Sequence, residues 1–198
     1  MLRPGMYGGE LALWQFLEDL AWIDKRDEDV PGTLEPRGAW SSTLVGGAFA
    51  RMFGGKPRDH AIAAAFVYAD LAGMWGYLEP QRKLTGQEYS RLRRGARQWT
   101  ATADRTPADV VAAFGEPSLW RSRYNPWYPM SLGYVSGNHL DPLVTFDFWQ
   151  DTDWESAPRR SRFGPQPVLR NVRWRENHFE EEFTFTPTGH ALRACGPR

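Results

Sequence analysis

The apolar residues of this chain change their spacing once, close to Gly115, and this change limits the folds that the chain can adopt. Before Gly115 they recur every three or four residues, as Leu13, Leu17 and Leu20 do, which is typical of helices that bury one face. After it, in segments such as 144–149, they alternate with polar residues, as in strands. Helices first and strands later predict an α+β fold, in which N-terminal helices pack with a C-terminal antiparallel sheet of about four strands.

Local signals at the helix ends divide the first part of the chain. Asp59 is predicted to cap a long Ala-rich helix, and Thr85 with Glu88 forms a capping box at the start of a basic helix. Thr106 is predicted to cap a short helix that a glycine ends. The charged stretch 25–40, which is rich in Pro and Gly, is predicted to be a loop. The predicted helices are residues 10–23, 43–53, 60–78, 85–101 and 106–115.

Strands are predicted at residues 132–136, 144–149 and 168–174, and a fourth follows where Phe179, Phe183 and Phe185 share one face. On the opposite face of this fourth strand we place Glu180, Glu182 and Thr184, with Glu181 at an edge. The linker 150–167 is long for a hairpin, and loops of such length are often functional or mobile. It carries Arg159, Arg160 and Arg162.

Length, charge and cysteine content limit the number of domains, the kinds of partner and the location of the protein. A chain of 198 residues is predicted to form one α+β domain over 1–198, with a possible subdivision into a helical part, 1–104, and a part with one helix and the sheet, 105–198. Lys plus Arg and Asp plus Glu each number 24, so no net charge attracts the protein to nucleic acid or membrane. Cys195 is the single cysteine, and no apolar run of a signal peptide follows Met1. We therefore expect a cytoplasmic protein.

Aromatic residues make up 14% of the chain, more than a core of this size can absorb. The segment 120–129 combines Trp, Tyr and Arg with two prolines, and these are the residue types enriched in interface hot spots. A loop that folds back over the sheet is the alternative interpretation of the same segment. We predict a partner-binding loop, whose binding residues are Trp120, Arg121, Arg123, Tyr124, Trp127 and Tyr128.

A small enzyme is the first alternative to a binding protein. His139 and Asp141 lie two residues apart at a predicted turn, and Glu176 and His178 lie two apart at the start of a predicted strand. If the two pairs converged, they could hold a metal or act as acid and base. The histidines lack the spacing of a metal site on one helix, and no sequence motif of a nucleophile or phosphate-binding loop is present. Enzymatic activity is therefore left open, and no metal or cofactor is predicted.

A nucleic-acid binder that depends on arginine is the second alternative. Two groups of arginines could contact phosphates, although the balanced net charge does not favour this function. One group lies on the predicted helix 85–101 and the other on the predicted strand 168–174 and just beyond it. They are Arg91, Arg93, Arg94 and Arg97, and Arg170, Arg173 and Arg175.

The part of the chain after Thr106 carries a resemblance to known families. A short helix ends in the segment 114–118, two strands follow at 132–134 and 144–149, and the segment 183–189 closes the pattern. The helix, the Gly-x-Pro turn and the strands resemble small modules of the β-lactamase-inhibitor and outer-membrane-assembly type. The whole chain is similar to immunity-type proteins encoded beside polymorphic toxins in bacteria. That resemblance implies a cytoplasmic, non-catalytic protein that inhibits a cognate toxin by occluding it, and it assigns no functional residues.

Overall fold

The computed structural model describes residues 8–26, 29–40, 42–80, 82–122, 125, 127–153 and 155–194, without the side chains of residues 29–31 and 194. Helices dominate the described residues before Gly115, and one more helix follows the last strand. They are α1 (Gly9–Ile23), α2 (Asp29–Leu34), α3 (Leu44–Phe53), α4 (Ala61–Met74), α5 (Gly86–Ala101), α6 (Pro107–Phe114) and α7 (Pro187–Ala194). Two 3-10 turns occupy Pro57–His60 and Phe179–Glu182.

The strands form an antiparallel sheet of five, in the order β1-β2-β3-β6-β7, and a separate two-stranded ribbon, β4-β5. Neighbours in the sheet are mostly neighbours in sequence, as short connections favour. The strands are β1 (Leu119–Arg121), β2 (Met130–Tyr134), β3 (Val144–Trp149), β4 (Thr152–Asp153), β5 (Arg160–Ser161), β6 (Val168–Arg173) and β7 (Phe183–Phe185).

One face of the sheet is apolar and lies under α5 and α6. Leu132, Phe146 and Val172 from the three central strands form one buried cluster with Leu92 of α5 and Val110 of α6. Such a cluster removes large apolar side chains from water, which stabilises the fold by roughly 1.5–3 kcal/mol for each fully buried side chain. The alternation of apolar and polar residues in the strands is sufficient to form this face.

The other face lies under the earlier helices. α4 crosses β2 closely at Gly133, where a Cβ atom would lie 2.6 Å from Cε1 of Phe66. The 3-10 turn Phe179–Glu182 and β7 contribute phenylalanines to a second buried cluster, formed mainly by α1, α3 and α4. The sheet is therefore covered by helices on both faces.

A partly buried carboxylate joins three helices of this second layer. Glu10 of α1 accepts hydrogen bonds from the backbone N–H of Gly46, at 3.0 and 2.9 Å, and from the hydroxyl of Tyr68, at 2.9 Å. It thereby caps α3, whose own N-cap side chain, Thr43, makes no capping bond. Burial raises the pKa of Glu10, although these hydrogen bonds oppose the shift.

The predicted fold class is confirmed, and so are the capping box of Thr85 with Glu88 and the N-cap at Thr106, where the structure adds a capping box with Asp109. Four details were wrong. The stretch 25–40 contains α2, and Asp59 accepts a hydrogen bond from the backbone N–H of Lys56, so it caps the 3-10 turn rather than α4. The predicted strand from Phe179 begins as a 3-10 turn, because Glu182 is drawn inside by an ion pair with Arg37. The long helix ends at Met74.

Candidate functional site

A β-bulge in β6 changes the direction of one arginine. In the pairing of β3 with β6, Asp147 lies opposite Asn171 while Phe148 lies opposite Leu169, so Arg170 is an extra residue in β6. Because of this extra residue, Leu169 belongs to the apolar cluster, whereas the side chain of Arg170 donates from Nε to Oδ1 of the buried Asn171, at 3.2 Å. Bulges often redirect side chains next to functional sites, so this position is a candidate.

Asp147 is the centre of a buried polar network on this face. Its carboxylate accepts hydrogen bonds from Ser131 Oγ at 2.6 Å, Asn171 Nδ2 at 3.0 Å and Arg173 Nε at 2.8 Å. Arg173 also donates to the backbone oxygen of Ala63 in α4, at 2.8 Å. Burial by itself would raise the pKa of Asp147, but the guanidinium groups of Arg173 and Arg170 hold it below its usual value. The network thus contains a charged carboxylate with a matched cation, Arg173.

Arg170 has no such matched partner. It is only 3% exposed, yet it makes no ion pair with any described residue, and within the described chain its two terminal nitrogens have no hydrogen-bond partner. Its guanidinium lies 3.8 Å from the ring centroid of Phe53 and 5.3 Å from that of Trp149. Burial lowers the pKa of Arg170 to about 10, although Asp147 opposes the shift. At neutral pH the side chain is therefore a buried cation, which costs stability unless something pairs with it.

His60 lies beside Arg170 and is also 3% exposed. Its Nε2 is 2.8 Å from the backbone oxygen of Gly54, and a carbonyl oxygen only accepts, so Nε2 carries the proton. Burial, followed by the positive charge of Arg170, lowers the pKa of His60 to about 4, so the ring is neutral at pH 7. Nδ1 is then an acceptor, and it is buried without a partner among the described residues. The imidazole stacks on Trp149 with 5.6 Å between ring centroids.

These two unsatisfied groups line a common cavity of about 90 Å³. The cavity reaches the surface beside Gly55 and Asp59, which are both exposed. A smaller cavity of about 10 Å³, which has room for one water molecule, lies on the other side of the same residues and touches Asp147. The larger cavity is lined by Phe53, Gly55, His60, Trp149, Arg170 and Leu192.

α7 closes the cavity from the other side because it contains Gly189. A Cβ atom at Gly189 would lie 1.9 Å from the backbone oxygen of Arg170, so only glycine permits this approach of α7 to the bulge. Thr186 strengthens the junction, since its hydroxyl donates to the backbone oxygen of Leu169 at 2.7 Å. α7 thereby places Leu192 against the cavity.

The structure divides the loop that the sequence predicts as a binding site. Trp120 and Arg121 belong to β1 and pair with β2, so their assignment to the loop was wrong. Arg123 and Tyr124 lie outside the described residues. The remaining two predicted binding residues occupy the loop itself, where Trp127 is half-buried and Tyr128 is 44% exposed.

The described residues of the linker 150–167 are folded and contact this loop. The linker contains the ribbon β4-β5, and Ser161 Oγ donates to Gln150 Oε1 at 2.6 Å. Thr152 Oγ1 donates to the backbone oxygen of Trp127 at 2.7 Å, which joins ribbon and loop. Pro129, at the end of the loop, lines the smaller of the two cavities beside Arg170. The aromatic loop, the ribbon and the Arg170 cavity therefore lie at one end of the sheet, which we name the loop end.

The residues of the enzyme alternative take part in local structure. Asp141 accepts hydrogen bonds from Ser136 Oγ at 2.6 Å and from Asn138 Nδ2 at 3.3 Å, which shapes the turn. Glu176 accepts from Trp174 Nε1 at 2.8 Å and pairs with Arg97 at 2.9 Å. Within the described chain no contact joins these carboxylates to each other or to the exposed His139 and His178.

His139 and Asp141 do line a second cavity of about 90 Å³, with Asp70 and Glu79. The acidic groups there already have partners. Asp70 pairs with Arg175 at 3.5 Å and accepts from the backbone N–H of Leu143 at 2.7 Å, and Glu79 pairs with Lys83. Unlike the Arg170 cavity, this one contains no buried side-chain group that lacks a partner, among the residues that the structure describes.

The arginines of the nucleic-acid alternative do not form one exposed surface. Arg170 and Arg173 are buried. Arg93 and Arg97 stack on the ring of Trp174, at 4.5 and 4.2 Å from its centroid. These side chains are used within the fold.

An exposed apolar face on α1 was not predicted from the sequence. Trp22 and Ile23 are 70% and 67% exposed, and Leu11 and Phe16 are more than half exposed. The prediction of an amphipathic helix was correct for the buried side, at Leu17 and Ala21, and it missed that the other side is also partly apolar.

Within the described residues, no helix has the length and apolar character needed to cross a membrane. The same residues contain no group of three or more His, Cys, Asp or Glu side chains arranged to hold a metal ion, and Cys195 lies outside them. Comparison with known protein families, with curated proteins and with solved structures finds no match to this chain.

Proposed function

We propose that this protein is a non-catalytic binding protein, an immunity-type inhibitor that occludes a partner protein through the loop end of the sheet. The main observation in support is that Trp127 and Tyr128, two large aromatic side chains, are partly exposed on a loop held by a hydrogen bond to the ribbon. Aromatic side chains that are already held in place lose little entropy on binding, which favours affinity.

The loop is fixed at several points, which supports this proposal. Asn125 accepts two hydrogen bonds, from the backbone N–H of Trp127 to its side chain at 3.2 Å and from that of Tyr128 to its backbone oxygen at 3.2 Å. The hydroxyl of Thr152 holds Trp127 from the ribbon. The described part of the loop therefore needs no large reorganisation to present Trp127 and Tyr128.

The ribbon beside the loop supplies charges of both signs. Asp151, Asp153 and Glu155 are exposed, as are Arg159, Arg160 and Arg162. A polar rim around an aromatic centre is the usual arrangement of a protein–protein interface. The resemblance to immunity-type proteins makes a toxin encoded beside this gene the expected partner.

The test is a pull-down with tagged protein from lysate of the source organism, followed by mass spectrometry and by measurement of the complex with purified partner. Alanine at both Trp127 and Tyr128 is expected to weaken binding at least about 30-fold, because two hot-spot residues each cost about 1–2 kcal/mol or more. The partner's own activity is expected to fall as the complex forms.

The matched control is the double variant Trp22→Ala/Ile23→Ala, which removes an exposed apolar pair of similar size from α1. It is expected to bind as the unmodified protein does. If the α1 variant loses the partner while the loop variant keeps it, the binding surface lies on α1 and the loop assignment is wrong. Both variants must retain the far-UV circular dichroism and the cooperative thermal unfolding of the unmodified protein.

A further inference from the structure

The cavity at Arg170 is lined by two buried residues, one of which has hydrogen-bond donors to offer and the other an acceptor. The terminal nitrogens of Arg170 are donors without an acceptor, and Nδ1 of His60 is an acceptor without a donor, among the described residues. A polar group that is buried without a partner destabilises the fold, and a buried cation without a counter-charge does so as well. Buried groups of this kind are concentrated at functional sites, where a ligand can supply the missing partners.

We propose that this cavity binds a small oxyanion that also carries a hydroxyl group, such as a hydroxycarboxylate or hydrogen phosphate. The anionic oxygens accept hydrogen bonds from the guanidinium of Arg170, whose planar fork suits carboxylate and phosphate. The hydroxyl donates to Nδ1 of His60. Phe53 and Trp149 flank both side chains.

The charges around the cavity agree with an anionic ligand. Asp147, the nearest buried carboxylate, already pairs with Arg173 at 2.8 Å, so the charge of Arg170 is left over. Asp59 at the mouth is exposed and caps the backbone of Lys56 at 2.9 Å. Solvent weakens its repulsion of an anion, whereas the attraction of the buried Arg170 is only weakly screened.

The size of the cavity sets the size of the ligand. A volume of about 90 Å³ holds a few water-sized groups, so it fits an anion of a few non-hydrogen atoms and no nucleotide or peptide. The ligand enters beside Gly55, where the cavity reaches the surface and the residue is exposed.

The experiment titrates the ¹⁵N-labelled protein with glycolate, acetate and inorganic phosphate at pH 7 and constant ionic strength, and it follows the amides of Gly54 and Gly55 and the ring nitrogens of His60. Glycolate and phosphate are expected to shift these signals with saturation. Acetate, which lacks the hydroxyl, is expected to bind about three- to tenfold more weakly, because one hydrogen bond is missing. Equal affinity for acetate and glycolate would contradict the role of His60.

Two variants locate the site. Arg170→Gln is expected to abolish saturable binding of glycolate, and its control is Arg193→Gln, which removes an exposed arginine of α7 that does not line the cavity. If Arg170→Gln does not fold, Leu192→Trp fills the cavity from α7 and is expected to abolish binding as well. No saturable shift in the unmodified protein, or the same affinity in Leu192→Trp, would overturn the proposal.

Discussion

Phe146 and Asp147 are neighbours in β3 and both are buried, yet different forces stabilise them. Phe146 contacts Phe114 and Tyr134, with ring centroids 5.4 and 5.7 Å away, under the apolar layer. Asp147 points to the other face and receives three short hydrogen bonds there. One face of the sheet is stabilised by burial of apolar area alone, while the other also buries charged groups, of which Asp147 and Arg173 form an ion pair.

The buried charged groups of the polar face stabilise the fold less than the apolar side chains of the other face do. Removing charges from water costs several kcal/mol per ion, and a buried ion pair often stabilises a protein no more than apolar residues of the same volume would. Asp147 with Arg173 is such a pair, whereas Arg170 makes no ion pair and Nδ1 of His60 has no hydrogen-bond partner among the described residues. We infer from this contrast that the apolar face stabilises the fold, whereas part of the polar face binds a ligand.

The largest difference between the faces is expected for neighbouring substitutions in β3. Asp147→Asn keeps the shape but leaves Arg173 as a buried unpaired cation, so the free energy of unfolding is expected to fall by about 3–5 kcal/mol. Phe146→Leu, the control on the apolar face, removes part of a buried ring and is expected to cost about 1–2 kcal/mol. Urea denaturation measures both, and equal losses would show that the two faces are not stabilised differently.

The junction of α7 with the bulge is expected to tolerate no Cβ atom. Gly189→Ala would place its Cβ 1.9 Å from a backbone oxygen, so either α7 or β6 must shift, at a cost of about 2–3 kcal/mol. Gly95→Ala is the control, because a Cβ at Gly95 within α5 meets no atom within 4 Å. It is expected to stabilise the protein by up to about 1 kcal/mol. A Gly189→Ala variant as stable as the unmodified protein would contradict the described packing.

Between pH 4 and 7, His60 and Glu182 are expected to affect stability in opposite directions. The pKa of His60 is about 4 when folded and 6.5 when unfolded, so the unfolded chain takes up the extra proton and stability falls as pH drops from 6.5 to 4. Burial raises the pKa of Glu182 from 4.5 to about 7, although Arg37 opposes the shift, so the folded protein holds the extra proton. That contribution falls as pH rises from 4.5 to 7.

The measurement compares denaturation of the unmodified protein, His60→Gln and Glu182→Gln at several pH values. Relative to His60→Gln, the unmodified protein is expected to gain on the order of 2 kcal/mol as pH rises from 4 to 6.5. Relative to Glu182→Gln it is expected to lose a similar amount as pH rises from 4.5 to 7. Parallel curves for all three proteins would mean that neither buried group titrates differently in the folded protein.

The smallest effect is expected outside both faces, at the aromatic loop. Tyr128→Ala removes a side chain that is 44% exposed, so the free energy of unfolding should change by less than about 0.5 kcal/mol. Phe148→Ala on the apolar face, where Phe148 is 2% exposed, is expected to cost about 3–5 kcal/mol. A large loss for Tyr128→Ala in thermal or urea denaturation would indicate that the loop serves the fold and is not free to bind a partner.

Much of the fold was predictable because its signals are local. The caps at Thr85 and Thr106 are short-range patterns, and the alternation around Phe146 identifies the apolar face. Strands as short as β1, β4 and β5, with two or three residues each, display no periodicity that could reveal them. α7 begins at Pro187, directly after Thr186, a pattern like the one that identified α6 at Thr106, and it was not predicted from the sequence.

The candidate site was less predictable, because it depends on distant residues. His60 precedes Arg170 by more than a hundred positions, and only the packing of α3 and α4 on the sheet brings them together. The bulge is set by a mismatch of one residue between β3 and β6, which neither strand displays alone. One signal was present, since Leu169 and Val172 are apolar and three positions apart, which breaks the alternation of a regular strand at Arg170.

Arg170 and Arg173 can be replaced separately by methionine, and the stability of each variant can be measured by urea denaturation. This comparison asks whether Arg170, unlike Arg173, is kept for a ligand and does not stabilise the fold. Both arginines are buried at 3% exposure in β6, but only Arg173 pairs with Asp147. Arg173→Met is expected to cost about 3–5 kcal/mol, because it strands the carboxylate. Arg170→Met is expected to change stability by less than about 1 kcal/mol, or to raise it, since no ion pair is lost. A loss for Arg170→Met as large as that for Arg173→Met would contradict the claim that Arg170 is kept for a ligand.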